Sequence, residues 1–349
     1  MPETQVITAK IRIFPTKSQK RLLKEHRQEY IAVINQLSLQ AYILGKFPKT
    51  TTADVDAKLP SALINQAIRD ARSAFGKYKK TGRLPEHKKP RYYVNNQNHG
   101  VRGSTVGFPI YKDGKSQKTW FRADITPKVQ EQLHKAKPGM MKLICKNHKW
   151  YVQICLEKEI PESKGNKQEV MGVDLGLNVP AVAVTSTGKT KFLGNGRQNK
   201  YIRRQHKSKR RHLGKLKKLS AIRKRENKES RWMKDQNHKI SRQIVNLALA
   251  EEVSAIKLER LTNIRQTAST SRKNEKNLHS WAFYQLQEFI KYKAALAGIE
   301  VQEVNPAYTS QQCPVCPKRN KPNRRLYKCS CGYQGHRDRV GAINIMHAA

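Results

Sequence analysis

Four cysteines fall within nineteen residues, as Cys313-Pro314-Val315-Cys316 and Cys329-Ser330-Cys331-Gly332, with twelve residues between the pairs. No other feature constrains the fold as tightly, because four thiolates gathered on one ion pin two turns of chain against each other. Thiolates at this spacing suit a single tetrahedral Zn²⁺, and four sulfurs leave no open position for chemistry, so the expected role is structural. A basic loop, Lys318 to Arg325, runs between the two knuckles. His336 lies close enough in sequence to be a ligand, but with four thiolates present a phosphate or backbone contact suits it better. Cys145 and Cys155 sit in alternating, strand-like segments and read as buried thiols. This usage of cysteine fits a reducing cytosol.

Three carboxylates stand in comparable settings. Val170-Met171-Gly172-Val173-Asp174-Leu175-Gly176-Leu177 reads as a short buried strand carrying one acid. An Asp there is costly to bury as an ion unless a cation meets it, and hard divalent cations take oxygen ligands. The alternative is an Asp that caps a turn at the strand end. Ala255-Ile256-Lys257-Leu258 is a second apolar run, closed by Glu259, and Gly335 to Ile345 reads as a helix start with Asp338 in its first turn. Two strand-borne acids and one helix-borne acid can converge on a pair of cations. That is the ligand set of two-metal phosphodiester hydrolysis, with ions about 3.5–4 Å apart.

Lys and Arg total 70 against 26 acids, a formal charge of +44. A charge of this size and sign argues for a polyanion partner, and nucleic acid is the usual one. From Arg197 to Arg225 there are fourteen Lys or Arg and no acid. Leu213, Leu216, Leu219 and Ile222 recur at threes and predict one face of a helical pair; a disordered basic tail is the alternative. Self-repulsion in such a run is relieved by a polyanion laid along it. Lys77 to Arg91, broken by Gly82, Pro85 and Pro90, is a second basic stretch suited to phosphate, and Tyr92 and Tyr93 can stack on bases. The candidate nucleic-acid contacts are Lys77, Lys79, Lys80, Arg83, Lys88, Lys89, Arg203, Arg204, Lys207, Arg210, Arg211 and Lys217. No apolar run approaches membrane-spanning length and no apolar leader follows Met1, so a soluble, cytoplasmic protein without a membrane partner is expected, with a monomer favoured.

Alternation predicts a strand over 5–14, and Thr16 or Ser18 caps a helix running to about Leu44. A second helix is predicted from Ser61 to Tyr78. Strands follow at Val101 to Ile110, Lys118 to Ile125, Met140 to Cys145 and Lys149 to Glu157, turning at Asp113-Gly114 and at Lys146-Asn147-His148, as a small antiparallel barrel or sheet. Pro161 to Lys167 reads as a linker. The pattern beyond is mixed: the Asp174 strand, a hairpin of Val179 to Thr185 and Lys189 to Leu193, and the basic helical pair. A helix from Trp232 to Glu251, the Glu259 strand and a polar loop over 262–277 that could serve as a lid come next. Last are a helix from Leu278 to Gly298 with Trp281, Phe289 and Ala297 packed, a strand from Ile299 to Val304, and the Asp338 helix. This order is that of an RNase H-like fold, and no internal repeat is evident.

Gly172-Val173-Asp174-Leu175-Gly176, Lys257-Leu258-Glu259, the cysteine cluster, and Arg337-Asp338 with Ala342 and Asn344 together resemble the RuvC-type nuclease of TnpB proteins. These are encoded by insertion-sequence transposons and related to the type V CRISPR effectors. The resemblance covers the C-terminal half closely and the N-terminal half only in layout. It implies a multidomain α+β and α/β chain: an RNase H-like RuvC nuclease domain over 166–349 with a zinc ribbon inserted at 308–334. Before it would come an N-terminal β-barrel-like wedge domain (1–15 and 96–165) with a helical recognition insertion (16–95). It implies an RNA-guided DNA endonuclease binding a guide RNA and target double-stranded DNA. Two Mg²⁺ would sit on Asp174, Glu259 and Asp338, with Asp174 bridging, and one structural Zn²⁺ on Cys313, Cys316, Cys329 and Cys331. The chain departs from the family pattern in three places: the second knuckle has one intervening residue where two are commoner, Val340 stands where Asn is often found, and Gly341 where Ala is. Other readings are a compact type V CRISPR effector, a nuclease-silent RNA-guided repressor, and a structure-selective nuclease acting without a guide.

Overall fold

The computed structural model describes residues 3–89, 92–162, 166–261, 282–305, 307–316, 318–322 and 325–348. It forms two compact units, Glu3–Glu159 and Ile160–Ala349, each mixing helices with a sheet.

In the first unit the elements are β1 (Thr4–Ile13), α1 (Lys17–Ile43), α2 (Ser61–Thr81), β2 (Tyr93–Val94), β3 (Gly100–Arg102), β4 (Thr105–Lys112), β5 (Lys115–Asp124), α3 (Pro127–His134), β6 (Lys137–Lys146) and β7 (Lys149–Glu159). The seven strands pair antiparallel in the order β2-β6-β7-β1-β5-β4-β3. Thr16 starts α1 with a capping box: its hydroxyl accepts from the Gln19 amide at 3.3 Å, and the Gln19 side chain accepts from the Thr16 amide at 2.8 Å. The β4–β5 and β6–β7 hairpins turn on two consecutive positive-φ residues, Asp113 with Gly114 and Asn147 with His148. This is the turn geometry that matches the twist of the flanking strands. Period-two alternation sends Ile11, Ile13, Phe108, Phe121, Leu143, Val152 and Ile154 inward, where Leu23, Tyr30 and Ile34 of α1 and Leu63 and Ala67 of α2 complete one core.

Two expectations do not hold in this unit, and one element is new. Tyr92 is fully buried, with its hydroxyl donating to Pro109 O at 2.5 Å, so its ring is not available to a base; Tyr93 is half-buried. Cys145 and Cys155 are half-buried rather than buried: Cys145 packs against the edge of the core beside Trp150, and Cys155, between inward Ile154 and Leu156, faces the other side of the sheet. The helix α3 had no counterpart among the predicted elements.

The second unit contains β8 (Asn166–Asp174), β9 (Ala181–Thr185), β10 (Thr190–Leu193), α4 (Gly196–Lys215), α5 (Leu219–Ala250), β11 (Val253–Glu259), α6 (Phe283–Ala295), β12 (Glu300–Val304), β13 (Leu326–Lys328), β14 (Gln334–His336) and α7 (Arg337–His347). Five strands form a mixed sheet in the order β10-β9-β8-β11-β12; β8, β11 and β12 run parallel, and β9 and β10 are added antiparallel. Met171, Val173, Ile256 and Leu258 face one side, packing with Ile244, Val245 and Ala248 of α5 and Leu286 and Ile290 of α6. On the other side α7 covers the sheet, with Ala342 against Val182 and Val184. The approach is so close that a Cβ added at Gly172 would stand 2.0 Å from Ala342 O, so glycine is required there.

The apolar repeat at Leu213 to Ile222 does not form one continuous stripe. The helix breaks at Lys217 (φ 53), leaving Leu216 and Leu219 exposed, and the predicted Trp232 helix is the distal part of a longer α5. The packed side of α6 is Phe283, Leu286, Gln287, Ile290, Lys293 and Ala294. Phe289 is half-buried and stacks on His238 at 3.9 Å; Ala297 lies beyond the helix end but packs, partly buried, against the core as expected. Trp281 and the 262–277 loop lie outside the described residues. Of the predicted linker, Asn166 and Lys167 belong to β8, and 163–165 lie outside the described residues. Among the described residues no helix is long and apolar enough to cross a membrane.

Candidate metal centres

β8 and β11 are parallel neighbours with Val173 opposite Leu258. Asp174 and Glu259 follow one residue on, at the carboxyl ends of adjacent strands whose backbones are about 4.8 Å apart. Because Val173 and Leu258 point to α5 and α6, alternation turns both acids to the face that α7 covers. There Gly341 stands against Asp174: its ideal Cβ would be 3.4 Å from Asp174 Cγ, so a bulkier residue would crowd the carboxylate. Asp338 is one turn earlier on the same helix.

Burial pushes the Asp174 carboxyl well above the usual carboxylate range, and the neighbouring charges of Glu259 and Asp338 add to it, against the Arg337 guanidinium. Burial raises Glu259 too, opposed by a hydrogen bond from the Thr309 hydroxyl to its Oε1. Asn344 of α7 holds the Thr309 segment, donating to Thr309 O at 2.6 Å and Gln312 O at 2.8 Å, and Gln287 donates to Glu259 O at 2.7 Å. Acids crowded in a desolvated place fit a site for hard cations, which relieve both burial and repulsion.

The three carboxylates do not close onto a single point. Among the described residues the only group of three or more metal-ligating side chains whose ligand atoms all lie within 4.8 Å of one another is the cysteine set. Asp338 Oδ2 accepts from Arg325 Nη1 at 2.9 Å.

Cations gather beside the acids. Asn195 caps α4 by accepting from the Gln198 amide at 3.1 Å, and the Gly196 amide donates to Asn178 O at 2.9 Å. A Cβ at Gly196 would meet Leu177 O at 2.2 Å, so glycine lets the helix start dock on the loop that follows Asp174. Lys200, one turn on, donates to Asn178 Oδ1 at 2.5 Å. Its ammonium is lowered by burial and then by Arg325 and Arg204. Thr309, Arg325 and Lys200 were not among the predicted site residues; no local pattern marks them, since their roles come from chain crossings.

The second centre is compact. Cys313 and Cys331 Sγ are 3.6 Å apart, and Cys316 and Cys329 Sγ 3.5 Å. Zinc–sulfur bonds of about 2.3 Å in a tetrahedron place sulfurs about 3.8 Å apart, so the set fits such an ion. The Cys331 amide, donating to its sulfur, holds the Cys329 thiol down at about 6. Asn320 Nδ2 donates to the same sulfur at 3.2 Å. The β13–β14 hairpin carries Tyr327, fully buried with Cys313 and Val340. His336 is not among the ligands of this cluster; its Nδ1 accepts from the Asp338 amide at 3.2 Å and starts α7, the second of the two contacts, phosphate or backbone, expected of it.

Of the candidate nucleic-acid contacts, Lys77, Lys79, Lys80, Arg83, Lys88, Lys89, Arg204, Lys207, Arg211 and Lys217 are exposed. Arg210 is ion-paired to Glu229 at 2.6 Å, and burial lowers the neighbouring Arg203, so these two also bind α4 to α5.

Residues 153–265 match the family model described as a probable transposase, and residues 283–345 the Cas12f1-like TNB domain. The chain is 31% identical over 218 residues to the CRISPR-associated endodeoxyribonuclease Cas12f1 of Sulfoacidibacillus thermotolerans, covering 57% of this chain and 50% of that one. It is 40% identical over 121 residues to a TnpB-like protein of Methanocaldococcus jannaschii, covering 34% and 43%. The chain thus spans about half the length of the curated relatives it matches. A structure of Cas12f1 with single guide RNA and target DNA superposes with a TM-score of 0.71 at 13% identity, covering 98% of this chain and 99% of that one. The fold is shared, and the chain belongs to the TnpB family, related to the type V CRISPR effectors.

Proposed function

We propose that this protein is an RNA-guided DNA endonuclease of the TnpB type, acting through an RNase H-like RuvC site with a zinc ribbon beside it. The observation that carries this reading is the paired placement of half-buried Asp174 and buried Glu259 on adjacent parallel strands, under a helix that brings Asp338. Asp174, Glu259 and Asp338 would be the residues that hold two Mg²⁺ ions. Bound there, Mg²⁺ would supply an activated water and charge neutralisation at the leaving 3′ oxygen. Thr309 orients Glu259, His336 sets the start of the Asp338 helix, and Gly341 leaves room for the Asp174 carboxylate. Lys200 and Arg325 stand ready to hold the phosphate. The four cysteines would hold one structural Zn²⁺.

The first unit is read as the wedge and recognition parts; its 77–89 stretch, and α4 and α5 of the second unit, would meet nucleic acid. The +44 charge supports a partner as large as a guide RNA with its DNA target, since each neutralised phosphate adds counterion release. In such a complex base pairing reads most of the sequence while the protein reads a short flanking motif.

The test is to express the chain with its flanking transposon sequence, sequence the RNA that co-purifies, and assay Mg²⁺-dependent cleavage of a matching target. Expected are a discrete bound RNA and cleavage that Asp174→Ala or Glu259→Gln abolishes. Full cleavage by Asp174→Ala would refute the site, and absence of bound RNA would refute the guide.

A further inference from the structure

The stretches read from sequence as nucleic-acid contacts leave out a surface that the strands assemble. In β7, β1, β5, β4 and β3 the residues opposite the core share one outer face. Registers Arg12 with Tyr151, Arg12 with Asp124, Trp120 with Gly107, and Arg102 with Thr105 place them there. Each aromatic side chain named on this face is met by a cation. Lys10 Nζ lies 4.1 Å from the Tyr151 ring centre. The Phe14 ring has Arg12 at 4.7 Å and Arg122 at 5.1 Å. The Trp120 ring has Arg102 at 4.8 Å and Lys118 at 5.5 Å.

Trp120 is laid flat on the sheet: a Cβ on Gly107 would stand 2.7 Å from its ring atoms, so only glycine allows the posture. The face is basic on balance, with Lys10, Arg12, Arg102, Lys118, Arg122 and Lys149 against Asp124, Glu157 and Glu159. Cations stacked on rings are held in place before any partner arrives, which lowers the entropy lost on binding.

Flat rings and guanidinium planes are of use to a partner with open base faces. A duplex keeps its base faces stacked on one another, whereas an unpaired strand can lay them on side-chain planes and set its phosphates on the flanking cations. Thr8 and Gln153, on the same face, offer hydrogen-bonding groups to a ribose 2′-hydroxyl. We propose that this face, from Tyr151 through Phe14 to Trp120, holds an unpaired segment of the bound RNA, its bases stacked on the ring and guanidinium planes and its phosphates on the cations beside them. The inference rests on the guided-nuclease reading and adds to it where the RNA is gripped.

The test uses the full chain, stripped of bound RNA in high salt and kept in chelator. Binding of a short labelled oligoadenylate RNA is measured by fluorescence anisotropy across a salt series. Trp120→Ala should weaken binding by about 5- to 150-fold, the range of one lost stacking contact, with the salt slope unchanged. Phe14→Ala, at an exposed position, should act alike and does not depend on the flat seat of Trp120. Lys118→Ala should instead lower the slope by about 0.7. An RNA duplex should be bound equally by wild type, Trp120→Ala and Phe14→Ala. Wild-type affinity in both aromatic variants would overturn the proposal, as would an equal loss on duplex, or a single-stranded DNA of the same sequence binding as tightly as the RNA. Wild-type protein that binds no single-stranded RNA would sink the guided reading itself, an outcome distinct from variants that bind normally.

Discussion

Replacing Asp174 with asparagine keeps its shape and removes its charge, and the fold predicts opposite effects on stability and activity. In the metal-free protein this carboxyl is held well above its ordinary range by burial and by Glu259 and Asp338. A carboxyl raised on folding binds its proton more tightly in the native chain than in the unfolded one. Its stabilising contribution is therefore intact below the unfolded pKa, about 4, and is lost as pH rises, by up to about 1.4 kcal/mol per unit, until the raised native value is passed. Asparagine suffers no such loss. Between pH 5 and pH 7 Asp174→Asn should therefore gain on wild type by up to about 2.7 kcal/mol, or about 5–10 °C in melting temperature for a unit of this size. Calorimetry in chelator at pH 5, 6 and 7 measures the gap. Added Mg²⁺ should raise the wild-type transition more at pH 7 than at pH 5 and leave the variant nearly unmoved, while cleavage by the variant is lost. A gap that stays constant with pH, or a variant that Mg²⁺ stabilises as well as wild type, would show that the acids are not crowded as described.

Gly172→Ala should destabilise the second unit by about 1–3 kcal/mol, because the new methyl meets the α7 backbone; denaturant unfolding reads this, and cleavage should fall with it. Thr309→Val removes the hydrogen bond that holds Glu259 down. The acid limb of the Mg²⁺-dependent pH–rate profile should move to higher pH while the fold persists, and an unmoved limb would count against Thr309 as the orienting residue. Metal analysis should find one zinc per chain, and its removal by a chelator should expose the Cys329 thiol to alkylation and lower cleavage by unsettling the start of α7.

Much of the fold is legible in the sequence wherever local chemistry and tertiary packing agree. The alternation of β1, β5 and β7, the Asp113-Gly114 turn and the Thr16 cap each carry their own signal. Asp174 and Glu259 stand out because charge inside an apolar strand needs a reason. The break at Lys217 is not legible, because the leucine spacing continues straight across it. The helix α3 is only eight residues long, although Thr126 and Pro127 mark its start. Thr309, Arg325 and Lys200 reach the site only because separate chain segments cross there, which no periodicity records. The cation-bearing rings of the first unit are scattered over residues 10 to 151 and become one surface only through strand register.

The contact between Gly172 and the Ala342 carbonyl is made by backbone on backbone. It acts as a fixed gauge: the height of α7 over the strands, and with it that of Asp338, is set by atoms every residue shares. Repacking elsewhere in the core can then drift through many substitutions without changing the spacing of the acids, provided these two positions stay small together.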